Sequence, residues 1–226
     1  MQKNDLKHIA IVLDGNRRYA KSKLLQPWKG HSFGAQTVEK LFEWIVELKI
    51  KELTLYTLST ENLKRTQTEL NKLFSLLERE LDKLIKDKRL YNNQIKIKFI
   101  GNLDLIPENL KKICLELEDK TKAHSNHIIN IALAYSGRLE IIQAINKLIE
   151  NKKPITQENF QEELYLQSEP QLIIRTGNQI RTSNFLPWQS TYSEWIFLKK
   201  MWPEFTKQDL IDCINEFKTR QRNFGR

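Results

Sequence analysis

Residues 8–18 read HIAIVLDGNRR, a short apolar and β-branched run that stops abruptly on a carboxylate, a glycine and two arginines. An unbroken apolar run of this length fits a strand covered on both faces, and such strands belong to parallel sheets. Similar runs follow at 52–58 (ELTLYTL), 95–101 (IKIKFIG), 128–135 (IINIALAY), 172–176 (LIIRT) and 195–198 (WIFL). Between them apolar residues recur at helical spacing. Val38, Leu41, Phe42, Ile45 and Leu48 form one stripe, and Leu70, Leu73, Phe74, Leu77, Leu81, Leu84 and Ile85 form another. Further helices are expected near 107–123, 138–151, 157–166 and 206–219, with Pro107 and Thr206 where helix starts are expected. Strands alternating with helices predict an α/β fold, with a central, mainly parallel sheet of about six strands flanked by helices. Ligands of such sheets bind beyond the carboxyl ends of the strands.

The 226 residues suit one domain, 1–226, since no Pro-, Gly- or Ser-rich stretch and no internal repeat divides them. Against 28 acidic residues stand 37 Lys and Arg, a net +9. That excess fits an anionic partner (nucleic acid, phosphorylated substrate or anionic membrane), or equally a set of solvated helix faces. No helix-turn-helix, zinc-finger or ribonucleoprotein signature is present, so no nucleic-acid partner is expected. Cys114 and Cys213 lie far apart, which fits a reducing compartment and gives no Cys zinc site. The polar start Met1–Asp5 predicts no signal peptide, and no apolar stretch reaches the roughly 20 residues of a membrane span. A cytoplasmic protein is expected, with peripheral contact at the inner membrane face left open.

Three polar clusters follow strands. Asp14-Gly15-Asn16-Arg17-Arg18 offers a carboxylate for a hard cation, a turn whose N–H groups can face an anion, and guanidinium forks. Arg175, Gly177, Arg181 and Ser183 combine two forks, a flexible turn and a hydroxyl, a set suited to a diphosphate. Ser59-Thr60-Glu61-Asn62, with Arg65 and Glu69 beyond, reads either as a site or as a helix cap. His31, inside Gly30-His31-Ser32-Phe33-Gly34, reads either as a phosphate contact or as a loop histidine.

Taken in order, these clusters resemble the cis-prenyltransferase family, in particular its bacterial undecaprenyl diphosphate synthases. The family's Asp-Gly-Asn-x-Arg-Trp-Ala motif appears as Asp14–Ala20, and its Gly-His-x-x-Gly as Gly30–Gly34. Ser59–Asn62, Tyr135–Arg138, Arg175–Phe185, Pro187–Gln189, Tyr192–Glu194, Trp202-Pro203 and the basic segment 220–225 continue the match. The resemblance implies a prenyltransferase that joins isopentenyl diphosphate to farnesyl diphosphate with Mg2+. The implied product is a long cis-polyprenyl diphosphate, undecaprenyl in length, for a cell-wall lipid carrier. It implies Asp14 and Asn62 as catalytic residues and Asp14 with Glu194 as metal ligands. It places the allylic substrate on Gly15, Asn16, Arg17, Arg18, Tyr19, His31, Ser59, Thr60, Glu61, Leu63 and Arg65. Isopentenyl diphosphate falls to Arg175, Arg181, Thr182 and Ser183. A homodimer is implied, with C-terminal residues reaching the partner's site, and a hydrophobic tunnel between sheet and helices. The stripes at 38–48 and 70–85 are either its walls or ordinary core.

The chain departs from the family pattern in places. Tyr19 and Leu63 replace Trp, Pro27 replaces a common Arg beside Lys29, and Ser136 replaces a Gly. Gln179 and Ile180 replace Glu and His, and Asn223 replaces an Arg near the end. A non-catalytic subunit of a two-component prenyltransferase is the rival reading, opposed by the retention of Asp14 and of the Arg175–Ser183 motif.

Overall fold

A computed structural model describes residues 6–220. Its strands are β1 (His8–Val12), β2 (Glu52–Tyr56), β3 (Ile95–Ile100), β4 (His127–Ala132), β5 (Leu172–Arg175) and β6 (Glu194–Phe197). They form one sheet in the order β3-β4-β2-β1-β5-β6, with every neighbouring pair parallel. The expected sheet is therefore present and is wholly parallel. Asp14 and Ser59 lie just beyond β1 and β2, and Arg175 is the last residue of β5. The helices are α1 (Asn16–Ser22), α2 (Lys29–Glu47), α3 (Gln67–Ile85), α4 (Lys88–Asn92), α5 (Glu108–Thr121), α6 (Gly137–Glu150), α7 (Gln157–Glu163) and α8 (Lys207–Thr219). The short α1 and α4 were not anticipated, because neither repeats an apolar stripe often enough to be read. α2 begins at Lys29, well ahead of its apolar stripe.

Side-chain alternation along the strands divides the core in two. Ile9, Ile11, Leu53, Leu55, Ile97, Ile129 and Ile174 pack with Leu41 and Ile45 of α2, Leu117 of α5 and Phe217 of α8. On the other face Ala10, Val12 and Ile173 pack with Tyr135, Phe185 and Leu186. Burial on both faces explains why β1 reads as a continuous apolar run rather than an alternating one.

One polar group interrupts this sheet. Thr54 Oγ1 meets the His8 Nε2 at 2.8 Å and accepts from Asn130 Nδ2 at 3.0 Å, while Asn130 also donates to Glu52 Oε1 at 2.8 Å. Burial pulls the His8 pKa down from 6.5 to about 4, against the opposing pull of the Glu52 carboxylate.

The topology also locates a crevice. From β1 the chain builds outward through β2 towards the β3 edge, and then returns to lay β5 against the other side of β1. The β1–β5 junction is thus a switch point, where the loops leaving two adjacent carboxyl ends diverge. Val12 lies level with Arg175 there.

Because His8 is protonated more easily in the unfolded chain, unfolding takes up a proton between pH 6.5 and about 4. Its contribution is complete above the upper limit and is lost as pH falls, with a slope approaching about 1.4 kcal/mol per pH unit. Urea denaturation across this window will show a flatter profile for His8→Gln than for wild type.

Candidate active site

Beyond Val12 the chain turns at Gly15, whose φ of 110° is left-handed. A Cβ there would stand 2.8 Å from Met201 Sδ, so close packing also requires the glycine. α1 begins at Asn16, directly after this turn. Its ladder opens with the Tyr19 N–H donating to the Gly15 carbonyl at 2.8 Å, which leaves the N–H groups of the preceding residues facing outward.

Asp14 is the centre of the site. Its Oδ1 accepts from Arg18 Nη2 at 2.8 Å and its Oδ2 from Arg175 Nη2 at 2.9 Å. Arg18 also donates to the Gly177 carbonyl, and Arg175 Nη1 to Ser183 Oγ at 2.7 Å. Arg175 is buried, with its Nε unpartnered among the described residues. Removing the part-buried Asp14 would leave the buried Arg175 guanidinium without its carboxylate. The first and second clusters therefore form one unit.

In front of it lies a cavity of about 450 Å³ lined by Asp14, Gly15, Asn16, Arg17, Arg18, Lys21, His31, Arg65, Gln179 and Arg181, with Leu13. Five cationic side chains face one carboxylate, a balance that suits a polyanion. Burial lowers the His31 pKa to about 4, and the Arg65 and Arg17 charges add to the effect. His31 is therefore a neutral hydrogen-bonding group at pH 7. Arg65 Nη1 lies 3.5 Å from its Nε2.

The third cluster stands behind Arg65. Ser59 Oγ accepts from the Asn62 N–H at 3.2 Å, so the capping reading holds for Ser59. Asn62 Oδ1 accepts from Arg65 Nη2 at 3.0 Å, while Glu69 Oε1 lies 3.3 Å from Arg65 Nη1 and 3.4 Å from Arg17 Nε. Ser59, Thr60, Glu61, Asn62 and Leu63 do not line the anion cavity, and Leu63 packs against the core. Glu61 Oε1 instead accepts from Asn184 Nδ2 at 3.0 Å, which ties this segment to the loop that carries Ser183. Tyr19 turns to Phe33, with ring centroids 5.4 Å apart. Thr182 is exposed.

Glu194 lies level with Leu172 and Ile9, three residues behind the β5 end, which is roughly 10 Å along the strand. Parallel pairing puts the start of β6 at the opposite end of the sheet from Asp14, so one chain does not bring the two carboxylates together. Glu194 Oε2 accepts from Arg220 Nη1 at 2.8 Å. The remainder of the 220–225 segment, including Asn223, lies outside the described residues. Lys29, the nearest cation to Pro27 in sequence, is exposed at the start of α2 and does not line the cavity. Lys21 of α1 does. Its spacing of three from Arg18 would have revealed it had that segment been read as a helix. Asn184 escaped notice because its four hydrogen-bonding contacts are all made to distant parts of the chain.

A second cavity, of about 420 Å³, runs between α2 and α3. It shares Leu13, Asn16 and His31 with the anion cavity, so the two meet there. Val38, Phe42 and Val46 of α2 and Leu73, Leu77, Leu81 and Leu84 of α3 line it, while Leu41 and Ile45 lie in the core. The expected tunnel is present, and the helix stripes divide between tunnel wall and core.

A family-wide sequence model described as "Putative undecaprenyl diphosphate synthase" matches residues 12–225. The chain is 43% identical over 224 residues to a geranylgeranyl-diphosphate-specific tritrans,polycis-undecaprenyl-diphosphate synthase of Archaeoglobus fulgidus, covering 95% of this chain and 89% of that protein. The corresponding Thermococcus kodakarensis protein is 43% identical over 229 residues, covering 97% and 87%. Among solved structures, lavandulyl diphosphate synthase from Lavandula x intermedia, in complex with dimethylallyl diphosphate, superposes with a TM-score of 0.92 at 30% identity, covering 97% of this chain and 98% of that one. A probable undecaprenyl diphosphate synthase from Campylobacter jejuni gives 0.85 at 36% identity, covering 99% and 100%.

Gly177 tests the packing at this junction. Its φ is 85°, and a Cβ would lie 2.6 Å from Arg18 Nη2 and 2.8 Å from the Asp14 carbonyl carbon. Gly177→Ala is expected to cost about 2 kcal/mol in urea denaturation. It should also weaken the binding of inorganic diphosphate by about tenfold in calorimetry, a loss of one charge-assisted hydrogen bond.

Proposed function

The chain belongs to the undecaprenyl diphosphate synthase family of cis-prenyltransferases, and on that basis we propose that it extends an allylic diphosphate by successive additions of isopentenyl diphosphate. The observation that carries this reading is the junction at Leu13, Asn16 and His31, where a cationic cavity opens into an apolar one. An amphiphile with a diphosphate head and a hydrocarbon tail matches both parts at once.

In this proposal the allylic diphosphate lies over Gly15–Arg18, with Arg18, Lys21, Arg65 and neutral His31 around it. Arg175, Arg181 and Ser183 receive isopentenyl diphosphate, and Thr182 lies at the rim. Cleavage of the allylic carbon–oxygen bond leaves negative charge on the departing diphosphate, which the guanidinium groups and N–H groups are already aligned to stabilise. The carbon that becomes electron-poor meets the alkene of the second substrate, held alongside by the neighbouring loop. Asn62 acts by orienting Arg65, and Glu61 by holding the Asn184 end of the second loop.

Asp14 would hold Mg2+. Among the described residues no group of three metal-binding side chains exists. A single carboxylate nevertheless fits an ion that completes its shell with water and substrate phosphates. When bound, Mg2+ supplies further stabilisation of the leaving diphosphate. Metal binding should therefore depend on diphosphate. We include the homodimer in the proposal, since Glu194 can approach an Asp14 only on another copy. Exposed Leu139, Ile142 and Ile149 share one face of α6 and suit such burial.

The names of the archaeal relatives point to geranylgeranyl diphosphate as primer and an undecaprenyl-length product, rather than the farnesyl primer expected from sequence. Use of the product in a cell wall rests on the sequence resemblance alone. Among the described residues no helix is long and apolar enough to cross a membrane.

Purified protein should incorporate labelled isopentenyl diphosphate in a Mg2+-dependent manner, with higher kcat/KM for geranylgeranyl than for farnesyl diphosphate. Asp14→Ala should reduce turnover by about 10²–10³-fold. Incorporation that appears only after a second protein is added would establish the non-catalytic-subunit reading instead. Calorimetry should show Mg2+ binding at least about tenfold tighter with an unreactive allylic diphosphate analogue present than without it.

A further inference from the structure

The loop that carries Arg181, Thr182 and Ser183 leaves these three residues exposed, yet its backbone is tightly specified. Ser183, Asn184 and Leu186 have φ of 51°, 62° and 49°, all in the left-handed region. Asn tolerates that region, but Ser and Leu are uncommon there and stay only where their surroundings over-determine them. Asn184 supplies that hold. Its carbonyl accepts from the Gly137 N–H at 3.1 Å and its Oδ1 from the Arg138 N–H at 2.9 Å, the first two N–H groups of α6. Its Nδ2 donates in two directions, to Ser136 Oγ at 2.8 Å and to Glu61 Oε1 at 3.0 Å. Both amide hydrogens and the amide oxygen are thus engaged. The docking is close, since a Cβ at Gly137 would lie 2.9 Å from the Asn184 carbonyl oxygen. Ser136 stands where the family pattern has a glycine, which has no side chain to accept the 2.8 Å bond.

We propose that Asn184 is a positioning residue for isopentenyl diphosphate, and that Ser136 strengthens its hold in this chain. The inference rests on the elongation reading above. Asn184 acts through its neighbour Ser183, keeping the Ser183 hydroxyl where Arg175 Nη1 donates to it at 2.7 Å. On the other side Phe185 is buried and stacks on Tyr56, with ring centroids 4.6 Å apart, so the loop is pinned immediately after its exposed residues. A loop ordered in this way bears its ordering cost in folding rather than in binding. Without the Asn184 contacts the loop would spread over other conformations, and affinity would fall with the fraction that remains competent. The loss falls on one substrate. Arg18, Lys21, His31 and Arg65, placed around the allylic diphosphate, are carried by α1, α2 and the segment after β2.

The test is the initial rate of addition by the full chain with Mg2+, geranylgeranyl diphosphate and labelled isopentenyl diphosphate, each substrate varied in turn. Asn184→Ala should raise KM for isopentenyl diphosphate by about tenfold or more, and Ser136→Gly by about threefold, the loss of several hydrogen bonds and of one. KM for geranylgeranyl diphosphate should stay within about twofold in both. Loss of folded enzyme lowers kcat and leaves both KM values in place, so this split separates positioning from damage. Asn184→Asp sets a carboxylate against Glu61 and should also raise KM for isopentenyl diphosphate. Adding Glu61→Gln, whose amide can donate to that carboxylate at unchanged total charge, should recover most of the loss. Should Asn184→Ala fail to fold, Ser136→Gly and the rescue pair decide the matter. If wild type elongates but these variants leave KM for isopentenyl diphosphate within about twofold, or raise both KM values alike, the Asn184 proposal is overturned alone. A wild type that adds no unit overturns both readings.

Discussion

The register of β1 against β5 is the constraint on which the site depends. Because Val12 lies level with Arg175, the residue two places beyond one strand meets the last residue of the other. The Asp14 carboxylate and the Arg175 guanidinium then pair at 2.9 Å behind the anion cavity. The surrounding contacts reinforce the same junction. Thr176 Oγ1 donates to the Asp14 carbonyl at 2.8 Å, and the Trp202 N–H donates to the same oxygen at 3.0 Å. A shift of one residue in this pairing would turn each of these side chains to the other face of the sheet. The donors are therefore aligned before ligand arrives, the condition under which electrostatic stabilisation is most effective.

The second determinant is how α2 serves two purposes with one apolar stripe. Leu41 and Ile45 anchor it to the sheet, whereas Val38, Phe42 and Val46, a quarter-turn or so away, line the tunnel. Gly34 lets the same helix approach α1: a Cβ there would lie 2.2 Å from Asn16 Oδ1 and 2.9 Å from Trp202 Cδ1. Close approach of α1 and α2 is what joins the charged cavity to the apolar one. The geometry gives two connected cavities of different character, one cationic and one mainly apolar.

Much of this was legible in the chain. Six buried strands, the main helices and the clusters around Asp14 and Arg175 followed from apolar runs and from polar residues immediately after them. What escaped the reading did so for identifiable reasons. α1 carries two arginines and a lysine instead of an apolar stripe, so Lys21 could not be assigned to the cavity. The family resemblance implies Glu194 as a partner for Asp14, but a parallel sheet gives the start and the end of a strand to opposite edges, so within one chain the two stand apart.

Sequence by itself determined the α/β architecture, the family and the chemical character of the strand ends, because these depend on local periodicity and residue type. Tertiary structure decided which of those groups share a cavity. It placed Arg175 behind Asp14, and Asn184 between Glu61 and Ser136, separations of up to 161 positions along the chain. It also left Asp14 without Glu194 in the same chain. Such meetings depend on strand order and register, which are set by packing between distant segments and are written into no single stretch of the sequence.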